Sequence, residues 1–193
     1  MKKFLLLTGA SSGIGAQSAL QLSRTYDLLL CGRNQDNLEH VRATCHEPAR
    51  HLILPLDLSN IEEIAEKLSN CIIQNEILID KFLHSAGTIA LMPARSFDYG
   101  FVHDMMKVNV FAAMEIVKTL VRKKPNNKAL SNIIFISALY SKKGVIGNSF
   151  YAATKGALDS YMRCIALELA PVVRVNSILP GGIRTPMSEA TFQ

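Results

Sequence analysis

Tyr151 and Lys155 stand four residues apart, which on a helix puts a phenol and an ammonium on one face. A free tyrosine ionises near pH ~10 and is a poor base at neutral pH. A neighbouring ammonium stabilises the phenolate. Bringing that pKa to about 7 takes roughly 4 kcal/mol, at about 1.4 per pH unit, and one cation in a partly dry site supplies much of it. Such a pair could exchange a proton with a carbonyl or an alcohol. Alone, the same two residues would be an ordinary surface pair on a helix, so their reading depends on what the chain brings to them.

What it brings is a glycine-rich turn, Thr8-Gly9-Ala10-Ser11-Ser12-Gly13-Ile14-Gly15, between an apolar run and a helical segment. Gly9 suits a tight turn off a strand. Gly13 lets a pyrophosphate approach the backbone, and Gly15 lets the helix pack closely. The positive end of that helix faces the crevice beyond the strand ends, where anions bind. The spacing is G-x-x-x-G-x-G, not G-x-G-x-x-G. No Gly-Lys-Ser/Thr follows, which disfavours a P-loop. A phosphate-bearing dinucleotide is the expected ligand.

The elements that must position these residues follow from the apolar pattern. Strands are expected at Lys3–Thr8, Asp27–Cys31, His51–Leu56, Asp80–His84, Asn132–Ser137 and Val172–Leu179. Helices are expected at Ile14–Ser23, Asn34–Cys45 with Asn34 as cap, Asn60–Asn75, Ser96–Lys124 and Ser149–Ala170. Asn126-Asn127-Lys128 reads as a polar loop. Continuous apolar strands alternating with helices imply an α/β fold: a three-layer doubly wound parallel sheet of the Rossmann type, with about six strands.

The chain has 193 residues, 49% of them hydrophobic, enough for one domain with a sizeable core and too apolar for disorder. Its longest apolar runs, such as Phe4–Leu7 and Ile133–Ile136, fall far short of the ~20 residues a membrane helix needs. The opening apolar stretch stops at Thr8-Gly9, too short for a signal peptide. The formal charge is +5, but the basic residues are scattered. The cluster Arg122-Lys123-Lys124 with Lys128 reads as a helix end, where cations suit the macrodipole, so neither a nucleic-acid nor a membrane partner is expected. Cys31, Cys45, Cys71 and Cys164 have no C-x-x-C spacing and no histidine cluster completes a zinc pattern. No metal is expected, and free thiols fit a reducing, cytoplasmic setting.

Taken in order along nearly the whole chain, the glycine turn and Tyr151-x-x-x-Lys155 resemble the short-chain dehydrogenase/reductase family. The resemblance implies an oxidoreductase that passes hydride between a nicotinamide and a small carbonyl or alcohol substrate. It makes Tyr151 the acid–base, Lys155 its tuning group and ribose ligand, and Asn109 the support for a water beside the lysine. It assigns Gly9, Ser11, Ser12, Gly13, Ile14 and Gly15 to the cofactor. Asp57 and Leu58 after the third strand, Ala86 and Gly87 after the fourth, and Pro180, Gly181 and Thr185 after the sixth join them. Arg33 ends the second strand, where an acid would hold a ribose 2′-hydroxyl and repel a 2′-phosphate. Its guanidinium suits phosphate, so NADP(H) is preferred and NAD(H) remains possible.

Three departures bear on this resemblance. The family serine lies thirteen residues before the tyrosine, and that position holds Ala138. Ser137 is one residue early and faces away if the strand runs on regularly, although a bulge could re-aim it; Ser141 is three late. The alternative to an enzyme is therefore a dinucleotide-binding sensor or scaffold with impaired chemistry. His84-Ser85 replaces Asn-Asn, and His84 is expected to be structural. Finally, the resemblance implies a further helix and a seventh strand after Gln193, closing over the substrate and supporting a homodimer or homotetramer. The expectation is residues 1–193 as one dinucleotide-binding domain whose substrate lid is omitted rather than naturally absent. Leu139, Tyr140, Val145, Ile146 and the Ala90–Arg95 stretch are expected to line the substrate pocket.

Overall fold

The structure, a computed structural model, describes residues 1–191. Six strands, β1 (Lys2–Thr8), β2 (Asp27–Gly32), β3 (Leu52–Pro55), β4 (Ile77–His84), β5 (Asn132–Ile136) and β6 (Arg174–Ile178), form one sheet in the order β3-β2-β1-β4-β5-β6. Every pairing is parallel. The order reverses between β1 and β4, so a crevice opens beyond their carboxyl ends.

Side chains alternate across the sheet. Leu5, Leu7, Leu28 and Leu30 pack with Ala19, Leu38 and Val41 of α1 (Gly13–Leu22) and α2 (Gln35–Thr44). Phe4, Leu6, Leu29, Phe82 and Phe135 face the other way. There they meet Ile64 and Leu68 of α3 (Ile61–Gln74), Ile116 and Leu120 of α5 (Ala112–Val121), and Leu158 of α6 (Ser149–Glu168). These strands read as unbroken apolar runs because both faces are covered. The expected three-layer doubly wound sheet of six strands is the observed one.

Local signals hold where they are strong. Asn34 caps α2 by accepting from the Asn37 N–H at 2.8 Å. Other boundaries differ. The expected helix over 96–124 is three pieces: a 3-10 turn at Ala94–Ser96, then α4 (Tyr99–Met106) capped by Asp98, then α5, joined to α4 by a π turn at Lys107–Phe111. Helix α5 stops at Val121, so Arg122-Lys123-Lys124 lies just past the helix end rather than inside it. β4 begins three residues early, with an irregularity in its pairing where Phe4 meets Ile79 and Leu5 meets Lys81.

Asn126 corrects the reading of 126–128 as a mere polar loop. It is fully buried, and its side-chain amide accepts from the Ile79 N–H and donates to the Ile79 carbonyl, both at 2.7 Å. A third bond reaches Leu120 O at 3.1 Å. β5 first pairs with β4 at Lys81, so the Asn126 amide stands in for a strand neighbour two residues earlier. A short α7 (Pro186–Thr191) follows β6, and no helix among the described residues is long and apolar enough to cross a membrane.

Candidate active site

The glycine turn leaves β1 at the sheet's centre, and its shape is fixed by contact rather than by side chains. Gly9 has a φ of +68°, and a Cβ there would lie 2.6 Å from the Ala86 backbone nitrogen. A Cβ on Gly15 would run into the Gly9 carbonyl. The turn therefore presses on the end of β4 and on its own helix, with no room for side chains. Ala10 N–H bonds to Cys31 O at 3.1 Å, tying the turn to β2. α1 starts at Gly13 with Ser12 in the cap position and no side-chain cap bond, which leaves its first amides to a ligand.

One cleft of about 310 Å³ runs along the strand ends. Gly9, Ser11, Ser12, Gly13, Ile14 and Gly15 form its floor at one end. Arg33, Asp57 and Leu58 line it beyond β2 and β3, and Ala86 and Gly87 beyond β4. Pro180, Gly181 and Thr185 close it from the segment after β6, where a Cβ on Gly13 would touch the Thr185 side chain at 3.4 Å. Burial works against the charge of Asp57, yet the Ser59 N–H and hydroxyl bind its Oδ1 at 2.9 and 2.8 Å. With a smaller pull from Arg33 and Lys67, these hold its carboxyl below the usual range. Arg33 is exposed and makes no salt bridge among the described residues.

Tyr151 and Lys155 line the same cleft from α6. Lys155 is 4% exposed; its Nζ donates to Ile136 O at 3.0 Å and sits 5.7 Å from the centre of the Tyr151 ring. Burial lowers the Lys155 ammonium to about 8, against a smaller pull from Asp159. Burial, with Tyr140 nearby, pushes the Tyr151 phenol up to about 12. This direction is opposite to the one a neighbouring ammonium favours, and burial of the ring sets it.

Asn109 lies in the π turn and is fully buried. Its Oδ1 accepts from Thr88 N–H at 2.7 Å, and its Nδ2 donates to Thr88 O and Thr154 Oγ1, both at 2.9 Å. Thr154 in turn donates to Tyr151 O at 2.8 Å. One amide thus clamps the loop after β4 to the first turns of α6. A Cβ on Gly87 would meet Asn109 Oδ1 at 3.2 Å and Lys155 Nζ at 3.4 Å, which places the three together. Sequence reading missed Thr88 and Thr154; only the spacing of Thr154, three residues after Tyr151, marks it as sharing that helix face.

The backbone and the hydrogen bonds place the residues around the expected serine position. Ala138 is extended, with φ −157° and ψ 153°, so strand alternation continues through it. Its methyl packs with Tyr151 and Met105. Ser137 turns its hydroxyl to Lys155 O at 3.4 Å, and Ser141 donates to Asp159 Oδ2 at 2.5 Å. Ser137 lines the cleft and Ser141 is not among its lining residues. His84 is fully buried and acts within the framework: Thr8 Oγ1 bonds its Nδ1 at 2.8 Å, and Phe82 and Phe135 meet its ring edge-on. Burial, and then Lys155, hold its pKa down to about 3, so the ring is neutral. Its buried Nε2 has no partner among the described residues.

A family model described as short chain dehydrogenase matches residues 3–193. The uncharacterized oxidoreductase YciK of Escherichia coli is 31% identical over 98% of this chain and 77% of its own length. A fatty acyl-CoA reductase of Acinetobacter baylyi is 34% identical over 98% of this chain, which spans only 65% of that protein. Among solved structures, a short chain dehydrogenase from Escherichia coli complexed with NADPH superposes with a TM-score of 0.86. It is 31% identical, covering 98% of this chain and 81% of that one.

Proposed function

The chain belongs to the short chain dehydrogenase family, and from that premise we propose that it passes hydride between NADP(H) and a small carbonyl or alcohol substrate, with Tyr151 as acid–base. One observation carries the reading: Tyr151 and Lys155 open onto the cleft that the glycine turn and Arg33 line at its other end. The Cβ-free cradle of Gly9 and Gly15 beneath free helix amides fits a pyrophosphate. Arg33 would take the 2′-phosphate, Asp57 the adenine and Lys155 the nicotinamide ribose. Ala86, Gly87, Pro180, Gly181 and Thr185 would enclose the nicotinamide end.

When bound, the dinucleotide supplies hydride to a carbonyl carbon or accepts it from a carbinol carbon. In reduction, Tyr151 gives its phenolic proton to the carbonyl oxygen as the new C–H bond forms. Asn109 is a positioning group that holds the loop at Thr88 against α6. Residues 1–193 act as one dinucleotide-binding domain in the cytoplasm, assembling as a homodimer or homotetramer through α4, α5 and α6. A sensor or scaffold that binds the dinucleotide without turnover is the second reading, favoured by Ala138 where a hydroxyl is usual.

Calorimetric titration of NADPH and NADH tests the site, with a panel of ketones and aldehydes to follow. NADPH is expected to bind at least about tenfold more tightly than NADH, and Arg33→Ala to erase that gap, about 1.4 kcal/mol. Binding without turnover of any carbonyl would favour the sensor. Failure of both dinucleotides to bind would sink both readings.

A further inference from the structure

A carbonyl oxygen that receives hydride at its carbon gathers negative charge as the C=O bond opens, and a second hydrogen-bond donor beside the acid stabilises it. The side chain at 138 offers none, and the hydroxyls of Ser137 and Ser141 are spent on Lys155 O and Asp159. Tyr140 stands between them in sequence. Its ring meets the Tyr151 ring edge-on, centroids 6.1 Å apart at 85°. Both tyrosines line the cleft, and the Tyr140 hydroxyl has no hydrogen-bond partner among the described residues.

The turn that carries Tyr140 is fixed from three sides. Leu139 N–H bonds to Pro180 O at 2.9 Å, Ser141 N–H to Ala138 O at 3.0 Å, and the Ser141 hydroxyl to the buried Asp159. Ser141 is thus an anchor for its neighbour, not a donor in its own right. We propose that Tyr140 donates the second hydrogen bond to the substrate oxygen, doing with a phenol from the turn what Ala138 cannot do from the strand end. Tyr140 keeps its proton throughout; Tyr151 alone gives one up. The proposal rests on the carbonyl-reductase reading above.

Four proteins decide it: the wild type, Tyr140→Phe, Ala138→Ser and the double variant, each assayed for kcat, KM, NADPH affinity and melting temperature. Tyr140→Phe keeps the ring packing and is expected to lower kcat about 100-fold, the order seen when one such donor is removed. NADPH affinity should stay within about twofold. Ala138→Ser alone is the reference against which the double variant is read. In the double variant the new serine should restore at least about tenfold of the loss, a rescue that a merely structural role for Tyr140 would not show. An active wild type with an equally active Tyr140→Phe, or a double variant with no recovery, overturns the proposal and leaves the reductase reading intact. A wild type that binds NADPH and reduces no carbonyl overturns both.

Discussion

The two ends of the cleft are made of different material. At the β1 end the walls are backbone: Gly9 and Gly15 are packed so closely that a methyl on either would strike a main-chain atom. At the β5 end they are side chains, with Ala138, Tyr140 and Tyr151 against Met105. Ile89 packs against the same group and lines the cleft. The difference teaches where each task resides. A pyrophosphate is recognised by amides that every residue carries, so only the shape of the chain matters. A substrate and its proton are handled by functional groups, so single side chains decide.

That division can be broken by variants that should fail at one end only. Tyr151→Phe is expected to cut turnover at least about 1,000-fold, within the range for loss of a positioned acid, while the calorimetric affinity for NADPH stays within about twofold. Gly15→Ala should do the reverse in kind, weakening NADPH binding more than tenfold. It should also lower the urea-unfolding free energy by about 2 kcal/mol, since a methyl is forced into a packed turn. If each variant lost both properties together, the two ends would be one unit and the comparison would fall.

His84 joins the ends, bonded to Thr8 in the cradle and close enough to Lys155 to feel its charge. Burial holds its folded pKa near 3 against an ordinary 6.5. Below about pH 6.5 the unfolded chain takes up this proton and the folded chain does not. Stability from this group is therefore full above pH 6.5 and is lost as pH falls toward 3, by about 2 kcal/mol at pH 5. Urea unfolding of His84→Asn should show a smaller drop between about pH 7.5 and pH 5 than the wild type shows. An equal drop in both would place a partner or a water on the ring that keeps it from resisting protonation.

Legibility followed the same divide. The sheet, the glycine turn and the Asn34 cap could be read because each is a local pattern: an apolar run, a spacing, a capping residue. The π turn could not, because Lys107–Phe111 contains nothing that a regular helix would refuse. Nor could the fate of Ser137, which hung on whether the chain stayed extended for one residue past β5. Two long-range bonds, Ser137 N–H to Ile178 O and Leu139 N–H to Pro180 O, keep it extended, and both partners are about forty residues away. Asn126 carried a turn signal and hid a buried role, since its partner Ile79 lies on another element.

The Asn126 amide also separates two kinds of opening that a sheet normally couples. Ile79 sits within β4, yet its N–H is shielded by a side chain from the turn after α5 rather than by a neighbouring strand. In deuterium exchange its amide would report the fluctuations of that turn, while Phe82 and Leu83, paired with β5, would report those of the sheet. One strand would then show two clocks, and the slower would mark where the sheet proper begins.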